Sequence, residues 1–443
     1  MRLDREKKYS DINYYYIILI SIMMFGYTIR SSIFDGIIGY INIISYLCMA
    51  IILFKHYKNI DKSIFIVIFI MLYIISIDIA TNSKIDSIAR SLIAFVLPLA
   101  FLCIDHNRII KNKEEFIIKF LKIFNALVII LFIYMLIDGL SGCYLTKIMS
   151  NVFDNLKDYV PKNTGFLKYR SKSFLGHQLY TKHFILMFYL LNMIYFVITS
   201  KSVMNIGLIH IISVLSILMS GSKTALVVLF ILVLFFNIRG PSKYRKMGIL
   251  IIAVIIMYFM GLFDYIINRF MTTSLTTGRS VGWRIVSEGL PNVKIFSGQG
   301  ENLFKMIENK FTDTQITAAF EYPIRILSFR YGILVTSLIM YLSYFKSLFK
   351  FLKDRCIIIV ICFLLVIGET NTFNQLVFNP DFMILIVLWN IVFMCMFEIW
   401  KDYKDNNYIN DYKDDKISLK EYIKKLKILF NKNLNRIKTI SDK

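Results

Sequence analysis

The chain has 443 residues, of which 57% are hydrophobic and 15% aromatic, and its formal net charge is +22 at pH 7. Soluble domains are about 45–50% apolar, so this composition excludes an ordinary soluble protein. The basic residues lie mostly between apolar runs, where such residues orient membrane helices, so the charge does not indicate nucleic-acid binding.

Apolar runs of about 18–22 residues recur along the chain, and each is long enough to cross a bilayer as a helix. They predict an all-α, polytopic integral membrane protein with about 12 transmembrane helices. A closed β-barrel is excluded, since its segments have about ten residues of alternating polarity. The predicted spans are residues 12–30, 33–54, 63–80, 88–104, 117–139, 180–199, 203–220, 222–238, 247–264, 323–345, 356–370 and 381–399. The first apolar run lacks a small-residue cleavage site, so we expect it to be a span and not a signal peptide.

Alternate loops are basic, which predicts their side of the membrane. Basic residues recur in the loops at 55–58, 108–113, 201, 239–246 and 346–355. We therefore expect these loops and both termini to be cytoplasmic. The segments 81–87, 140–179, 220–222, 265–322 and 371–380 are then outside.

The sequence divides into a membrane domain, residues 1–399, and a basic tail, residues 400–443. Apolar residues in the tail share one helical face from Leu419 to Ile437, and lysines occupy the other face. This pattern predicts a cytoplasmic amphipathic helix lying on anionic lipid. The six cysteines show no CxxC pair, so we expect neither a disulfide framework nor a metal site.

Charged residues also fall within the outer halves of the predicted spans. An arginine or lysine at the centre of a span costs about 2.5–3.5 kcal/mol on insertion scales, so such residues usually face a wet cavity or a partner. The nine residues are Asp78, Arg90, Asp138, Lys182, His183, Lys223, Arg325, Arg330 and Glu369. Their concentration predicts a polar cavity that opens outward. The many basic residues of the long outer loops are either a solvated surface or part of an anion site.

Four local patterns follow one another along the chain. They are the stretch at residues 169–178, the Ser-Lys-Thr turn within residues 219–225, the stretch Gly-Arg-x-x-x-Trp…Gly-x-Gly within residues 277–300, and Glu321 followed by Gly332. These patterns resemble the bacterial O-antigen polymerase (Wzy-type) and O-antigen ligase superfamily. The first resembles its Arg…Gly-x-x-Asn stretch, the second its Ser-Arg-Thr turn with lysine for arginine, and the third its loop entry, while Glu321 and Gly332 stand where ligases carry histidine and glycine at the loop exit. The resemblance covers most of the chain, and it implies a GT-C-like membrane fold in a bacterial cytoplasmic membrane.

The resemblance implies a metal-independent glycosyltransferase without a cofactor. Its donor would be an undecaprenyl-pyrophosphate-linked oligosaccharide, and its partners would be membrane lipids, a flippase and a chain-length regulator, with no nucleic acid. A sugar hydroxyl needs a general base, and a pyrophosphate leaving group needs cations. The expected catalytic residues are Glu321, Arg279, Arg330 and His177, with Glu321 as the base. The expected substrate-binding residues are Arg170, Lys223, Arg325, Arg284 and Trp283.

Glu321 in place of the ligase histidine favours a polymerase that joins lipid-linked repeat units. The alternatives are a ligase that transfers glycan to a lipid or cell-wall acceptor, and a flippase for lipid-linked oligosaccharides. Individual residues also have simpler interpretations. Glu321 and Arg325 are four residues apart, so they could form a plain helix ion pair. Trp283 could be an interfacial anchor, and His177 could be a structural loop residue.

Overall fold

We analysed a computed structural model of the chain. The structure describes residues 2–34, 39–153, 171, 173–176, 178–237, 284, 287–300, 302–310, 323–371 and 380–405. These residues form helices joined by short loops, with a single isolated antiparallel bridge between Ile60 and Ile104. By its internal contacts the chain falls into two units, Met1–Phe397 and Glu398–Lys443. The predicted tail helix lies outside the described residues.

The helices are numbered in chain order. They are α1 (Arg2–Met24), α2 (Tyr27–Ile33), α3 (Ile43–Lys55), α4 (Ile64–Ala80), α5 (Ile85–Leu102), α6 (His106–Ile109), α7 (Lys113–Ser141), α8 (Tyr144–Val152), α9 (Gln178–Thr199), α10 (Ile206–Ser220), α11 (Lys223–Asn237), α12 (Asn302–Lys310), α13 (Pro323–Met340), α14 (Lys346–Lys353), α15 (Ile357–Thr370) and α16 (Pro380–Asp405). A π-helical turn interrupts α5 at Leu92–Val96, and another joins α13 to α14 at Tyr341–Phe345.

Five helical stretches are long and apolar enough to cross a membrane, and a sixth span results if the bent pair α1 and α2 counts as one. The protein is therefore a helical membrane protein. Five shorter apolar helices accompany them, namely α3, α4, α10, α11 and α15. A helix of 17 residues extends about 25 Å at 1.5 Å per residue, which falls short of the roughly 30 Å hydrocarbon core. The predicted span at 247–264 lies outside the described residues.

The first predicted span is not one straight helix. α1 and α2 meet at an angle of 73°. Gly26 between them has an extended backbone, with φ −60° and ψ 161°, so the helical hydrogen bonds cannot continue through it. The next helix begins at Ile43, where the Asn42 side chain accepts a hydrogen bond from the Ser45 N–H and caps the helix.

One end of the bundle, here called the N-terminal face, carries partly exposed ion pairs between helix ends. These pairs are Lys55–Asp11, Lys346–Asp61 and Lys201–Glu114. Burial alone would raise the pKa of Asp61, but the hydrogen bonds from Lys346 and Ser63 outweigh it and leave that pKa below its usual value. The opposite end, here called the distal face, holds the α1–α2 bend, the α10–α11 turn and the first residues of α9, α13 and α16.

His106 lies at the N-terminal face, outside the spans. Its Nε2 is 2.9 Å from the Phe101 carbonyl, so Nε2 carries the proton, and Nδ1 accepts from the Tyr15 hydroxyl at 2.8 Å. Burial lowers the pKa of His106 to about 4 against the opposing effect of its hydrogen bond to Phe101, and the nearby Lys346 ammonium adds a smaller lowering. The ring is therefore neutral at physiological pH.

α9 runs through the centre of the bundle, and its residues are buried on nearly all sides. Asn192 of α9 and Asn125 of α7 exchange two side-chain hydrogen bonds, at 2.8 and 3.0 Å. Each amide thereby satisfies the other within an apolar core, where an unpaired amide would be costly. Trp389 of α16 packs against Phe124 of α7, with ring centroids 5.4 Å apart.

Candidate functional site at the distal face

Nine ionisable side chains of Arg, Lys, His, Asp and Glu are buried among the described residues, and all nine lie toward the distal face. They are Arg30, Asp78, Asp138, Lys182, His183, Lys223, Arg330, Glu369 and Asp381. The charged groups of the N-terminal face, by contrast, form ion pairs that reach solvent. Burying an ionised group is expensive unless it is paired and hydrogen-bonded, so the distal face must provide partners for these groups.

α13 is broken inside the membrane domain at Gly332. The backbone of Gly332 has φ 83° and ψ 167°, a conformation that is essentially restricted to glycine. The break leaves N–H groups without helical partners at the start of the second half-helix. The loop formed by residues 294–300, here called the capping segment, supplies acceptors for them. Ile333 N–H donates to the Lys294 carbonyl and Leu334 N–H to the Ile295 carbonyl, both at 3.1 Å.

The capping segment also serves the first half-helix. Gln299 N–H donates to the Phe329 carbonyl at 3.0 Å, and Gly300 N–H donates to the Arg330 carbonyl at 2.9 Å. Gly298 makes this approach possible, because a Cβ there would lie 2.6 Å from the Tyr331 nitrogen and still closer to the Arg330 carbonyl. Gly298 and Gly332 therefore belong to the same contact, in which the backbone of the capping segment packs against the backbone of α13.

The capping segment and Asn302 just after it contact α4 and Thr81, the residue that follows α4. Asn302 donates through its side-chain amide to the Thr81 carbonyl, and Tyr73 donates through its hydroxyl to the Phe296 carbonyl. Gly300 lies against this helix too, since a Cβ there would be 2.7 Å from Oδ1 of the buried Asp78. The stretch Gly298-Gln299-Gly300 is thus the point where α4, α13 and the loop meet.

Arg330 is buried two residues before the break. Its Nη2 donates to the Ser91 hydroxyl of α5 at 2.8 Å. Its guanidinium also lies over the Tyr331 ring, 4.9 Å from the centroid. Arg330 was predicted as a catalytic residue, and the structure places it in the membrane domain beside a helix break, eight residues into α13.

A second arginine lies next to Ser91. Arg90 is half-buried, and its guanidinium lies over the Tyr40 ring, 5.5 Å from the centroid. The backbone carbonyl of Tyr40 accepts a hydrogen bond from Arg30 at 3.1 Å. Arg30 in turn forms a two-pronged ion pair with Asp381 of α16, with N···O distances of 2.7 and 3.0 Å. A row of residues, each in contact with or adjacent in sequence to the next, therefore runs from Arg330 through Ser91, Arg90 and Tyr40 to Arg30.

The residue after Asp381 extends this row to a second buried cluster. The Phe382 ring lies 5.6 Å from the His183 ring. His183 Nδ1 and Glu369 Oε2 are 2.6 Å apart, and Lys182 Nζ is 3.2 Å from Glu369 Oε1. Trp389 Nε1 donates to His183 Nε2 at 2.9 Å, so Nε2 is unprotonated and Nδ1 donates to Glu369. His183 is thus a neutral ring between an indole and a carboxylate.

The remaining predicted residues are placed as follows. Lys223 is buried at the start of α11, just after the Ser220-Gly221-Ser222 turn, where Gly221 has φ 59°. The Ser171 N–H donates to the Met219 carbonyl at 2.9 Å, which brings Ser171 to this turn. Arg325 and Arg284 are exposed. The predicted residues outside the described part of the chain are Arg170, His177, Arg279, Trp283 and Glu321.

Sequence reasoning missed Arg30 and Asp381. Each stands at an end of an apolar run, where a lone charge is ordinary, and the two are 351 residues apart in the chain. Trp389 was missed as well, because a tryptophan inside an apolar span is usually a packing residue. The only sign in the sequence was that one cation and one anion stand at the ends of apolar runs on the same predicted face.

Searches against protein-family models, curated proteins and solved structures found no match to this chain.

Proposed function

We propose that the chain is a polysaccharide polymerase of the cytoplasmic membrane, with 12 spans, both termini in the cytoplasm and the distal face outside. It would join undecaprenyl-pyrophosphate-linked oligosaccharide repeat units without a metal. The observation that carries the proposal is Arg330, a buried guanidinium beside a break in a membrane helix at the face that also contains the other buried charges. A cation there can stabilise a phosphate leaving group in a site of low dielectric.

The reaction balances with residues of the chain. A hydroxyl of the acceptor sugar forms a bond to the anomeric carbon of the donor glycan, and the bond from that carbon to the pyrophosphate oxygen breaks. The hydroxyl proton passes to a general base, which we assign to Glu321. Undecaprenyl pyrophosphate leaves with its new negative charge, and Arg330 and Arg279 bind that charge. Arg170, Lys223, Arg325, Arg284 and Trp283 are proposed to hold the two substrates.

The distribution of buried charge favours this proposal over a flippase. A flippase moves a charged head group across both leaflets, so its cavity needs polar groups along its whole length. Among the described residues the buried charged groups lie toward the distal face alone. This arrangement supports a substrate that approaches from one side and reacts there.

The glycan profile of cells tests the proposal. A deletion strain should accumulate single repeat units on lipid, and the wild-type chain should restore polymer. Glu321→Gln and Arg330→Ala should each remove most chain growth at normal protein level, since a positioned base alone contributes about 10²–10⁴-fold. Arg108→Ala is the matched control, because Arg108 is an exposed arginine of the N-terminal face.

Other outcomes of the same experiment would contradict the polymerase. Long lipid-linked chains without an acceptor would identify a ligase, and the lack of any outward-facing intermediate would identify a flippase. If Glu321→Gln protein makes full-length polymer, Glu321 is not the base. A swapped Glu321→Arg, Arg325→Glu variant that restores both stability and polymer would assign the pair to a helix ion pair instead.

A further inference from the structure

α14 carries large apolar side chains on an exposed side. Phe349 is 58% exposed and Leu352 is 48% exposed, and Phe345, which precedes the helix, is 39% exposed. These three residues are spaced four and three apart, so they form one stripe along the helix. Leu348 and Phe351, on another side of the helix, are buried. α14 therefore packs one apolar side against the bundle and leaves a second apolar side exposed.

The exposed stripe lies beyond the hydrocarbon core of the bilayer. The helical stretch Pro323–Lys353 has 31 residues. Its length is about 46 Å at 1.5 Å per residue, which exceeds the roughly 30 Å core. Lys346 at the start of α14 pairs with Asp61, and both side chains are more than one third exposed. This pair marks the polar boundary at the N-terminal face, and Phe349 and Leu352 follow it, so contact with the hydrocarbon core does not explain their exposure.

Two neighbouring helices fix the orientation of α14. The π-helical turn Tyr341–Phe345 directly precedes it, and the extra residue of such a turn rotates the following helix by about 100°. Asn390 of α16 donates to the Ser343 carbonyl within this turn at 2.6 Å. The Phe351 ring packs against Phe363 of α15, with centroids 5.4 Å apart. The exposure of the stripe is therefore set by the fold.

Cations lie beside the exposed stripe. Lys346, Lys350 and Lys353 repeat the four- and three-residue spacing, so they form a second stripe next to the apolar one. Lys350 Nζ lies over the Phe397 ring, 5.4 Å from its centroid. Lys353 and Arg355 are exposed, and neither forms an ion pair with the part of the chain that the structure describes. An apolar stripe flanked by lysines is typical of a helix that lies at a membrane surface.

We propose that α14 is an interfacial helix that binds anionic phospholipid at the N-terminal face. Its exposed apolar stripe inserts between acyl chains just below the head groups, and Lys353 and Arg355 bind lipid phosphates. Negative head groups complement residues 346–355, which contain four cations and one acid. A lipid surface is favoured over a protein partner because the stripe adjoins the membrane boundary, where head groups are always present. The inference needs only a bilayer and does not rest on the proposed function.

Spin labels on the purified full-length protein measure the depth of α14 in bilayers of phosphatidylcholine and phosphatidylglycerol. The cysteines of the chain are buried, so the single variants Phe349→Cys and Lys353→Cys can be labelled selectively. Collisions with oxygen report contact with lipid, and collisions with a water-soluble nickel chelate report contact with solvent. We expect the label in place of Phe349 to favour oxygen by several-fold and the label in place of Lys353 to favour nickel.

Other results of this measurement overturn the interfacial helix. Preference for nickel at both positions would place α14 in water. Low access of both reagents to the label in place of Phe349 would show that protein covers the stripe. Spin–spin broadening would then identify that protein as a second copy of the chain, and its absence would identify a different partner.

Native mass spectrometry tests the class of lipid. Wild type should retain phosphatidylglycerol in preference to phosphatidylcholine, and Lys353→Gln and Arg355→Gln should each reduce this preference by about fivefold. Both residues are exposed, so their replacement leaves the packed core intact. Arg108→Gln is the matched control, because Arg108 is an exposed cation of the same face on a helix without an exposed large apolar residue.

Variants of the apolar stripe separate insertion from charge. Phe349→Ser should weaken retention of both lipids by several-fold, whereas Phe349→Leu should behave as wild type. Equal retention of the two lipids by wild type refutes the anionic-lipid site. An undiminished preference for phosphatidylglycerol in both glutamine variants refutes it as well.

Discussion

Replacing Gly298 by alanine should separate the capping segment from α13. A Cβ at this position would lie 2.6 Å from the Tyr331 nitrogen and closer still to the Arg330 carbonyl. Both neighbours are backbone atoms, so no side chain can rotate away to make room. Either the capping segment or the backbone of α13 must therefore move. The two hydrogen bonds next to this contact, from Gln299 and Gly300, would lengthen or break.

The size of the effect follows from those two bonds. Each contributes about 1 kcal/mol net, and up to about 3 kcal/mol if a buried carbonyl is left unsatisfied. We therefore expect Gly298→Ala to lower the free energy of unfolding by about 2–4 kcal/mol. Gly332→Ala should cost a similar amount, because its backbone conformation is strained for any residue with a Cβ by about 1–3 kcal/mol.

The assay is unfolding of the purified protein by SDS in mixed micelles, with chain growth in cells as the second measurement. Gly368→Ala is the matched control, since Gly368 lies in α15 and a Cβ there meets nothing within 4 Å. That change should leave stability unaltered or raise it by up to about 1 kcal/mol. Gly298→Ala protein that unfolds as wild type would refute the role assigned to the capping segment.

Two further changes test the buried and the titratable groups. Lys182→Met leaves the Glu369 carboxylate with a neutral histidine as its remaining named partner, so it should lower the free energy of unfolding by about 3–5 kcal/mol. Lys182→Met combined with Glu369→Gln should lower it clearly less than Lys182→Met alone, because no buried charge is then left without its partner. Additive losses in the double variant would contradict the pairing. Burial holds the pKa of His106 in the folded protein at about 4, below its usual value. The unfolded chain therefore binds the proton first as the pH falls below about 6.5, and the free energy of unfolding should drop by about 2 kcal/mol by pH 5. His106→Gln should flatten this dependence in unfolding at pH 7.5 and pH 5, and an unchanged slope would assign the loss to another group.

Sequence patterns predicted the buried charges better than they predicted the helices that carry them. Of the nine charged residues assigned to the outer halves of the spans, seven are buried, Arg90 is half-buried and Arg325 is exposed. This success has a simple cause, because a charge inside an apolar run cannot avoid burial once the run becomes a membrane helix. Arg325 is the third residue of its helix, where a long side chain reaches the surface.

The break in α13 could not be predicted from the sequence around it. Residues 323–345 form one predicted span, and a single glycine in a mainly apolar span is compatible with an unbroken helix. The break is stable because backbone groups of residues 294–300 replace the missing helical bonds. These hydrogen bonds join residues that are 30 apart (Gln299 and Phe329) to 39 apart (Lys294 and Ile333) in the chain. The resemblance marked Gly298 and Gly332 as parts of separate patterns, but it carried no information that the two meet.

The buried ion pairs of the distal face join four helices. Replacing a buried ion pair by apolar residues is often neutral or stabilising, so stability alone is weak grounds for keeping both Arg30–Asp381 and Lys182–Glu369. The carboxylate of each pair compensates its own cation and leaves little net field beyond the pair. The first pair joins α2 to α16 and the second joins α9 to α15. Their role is therefore better explained by the positions of these helices, which two directional charged contacts fix more specifically than apolar packing would.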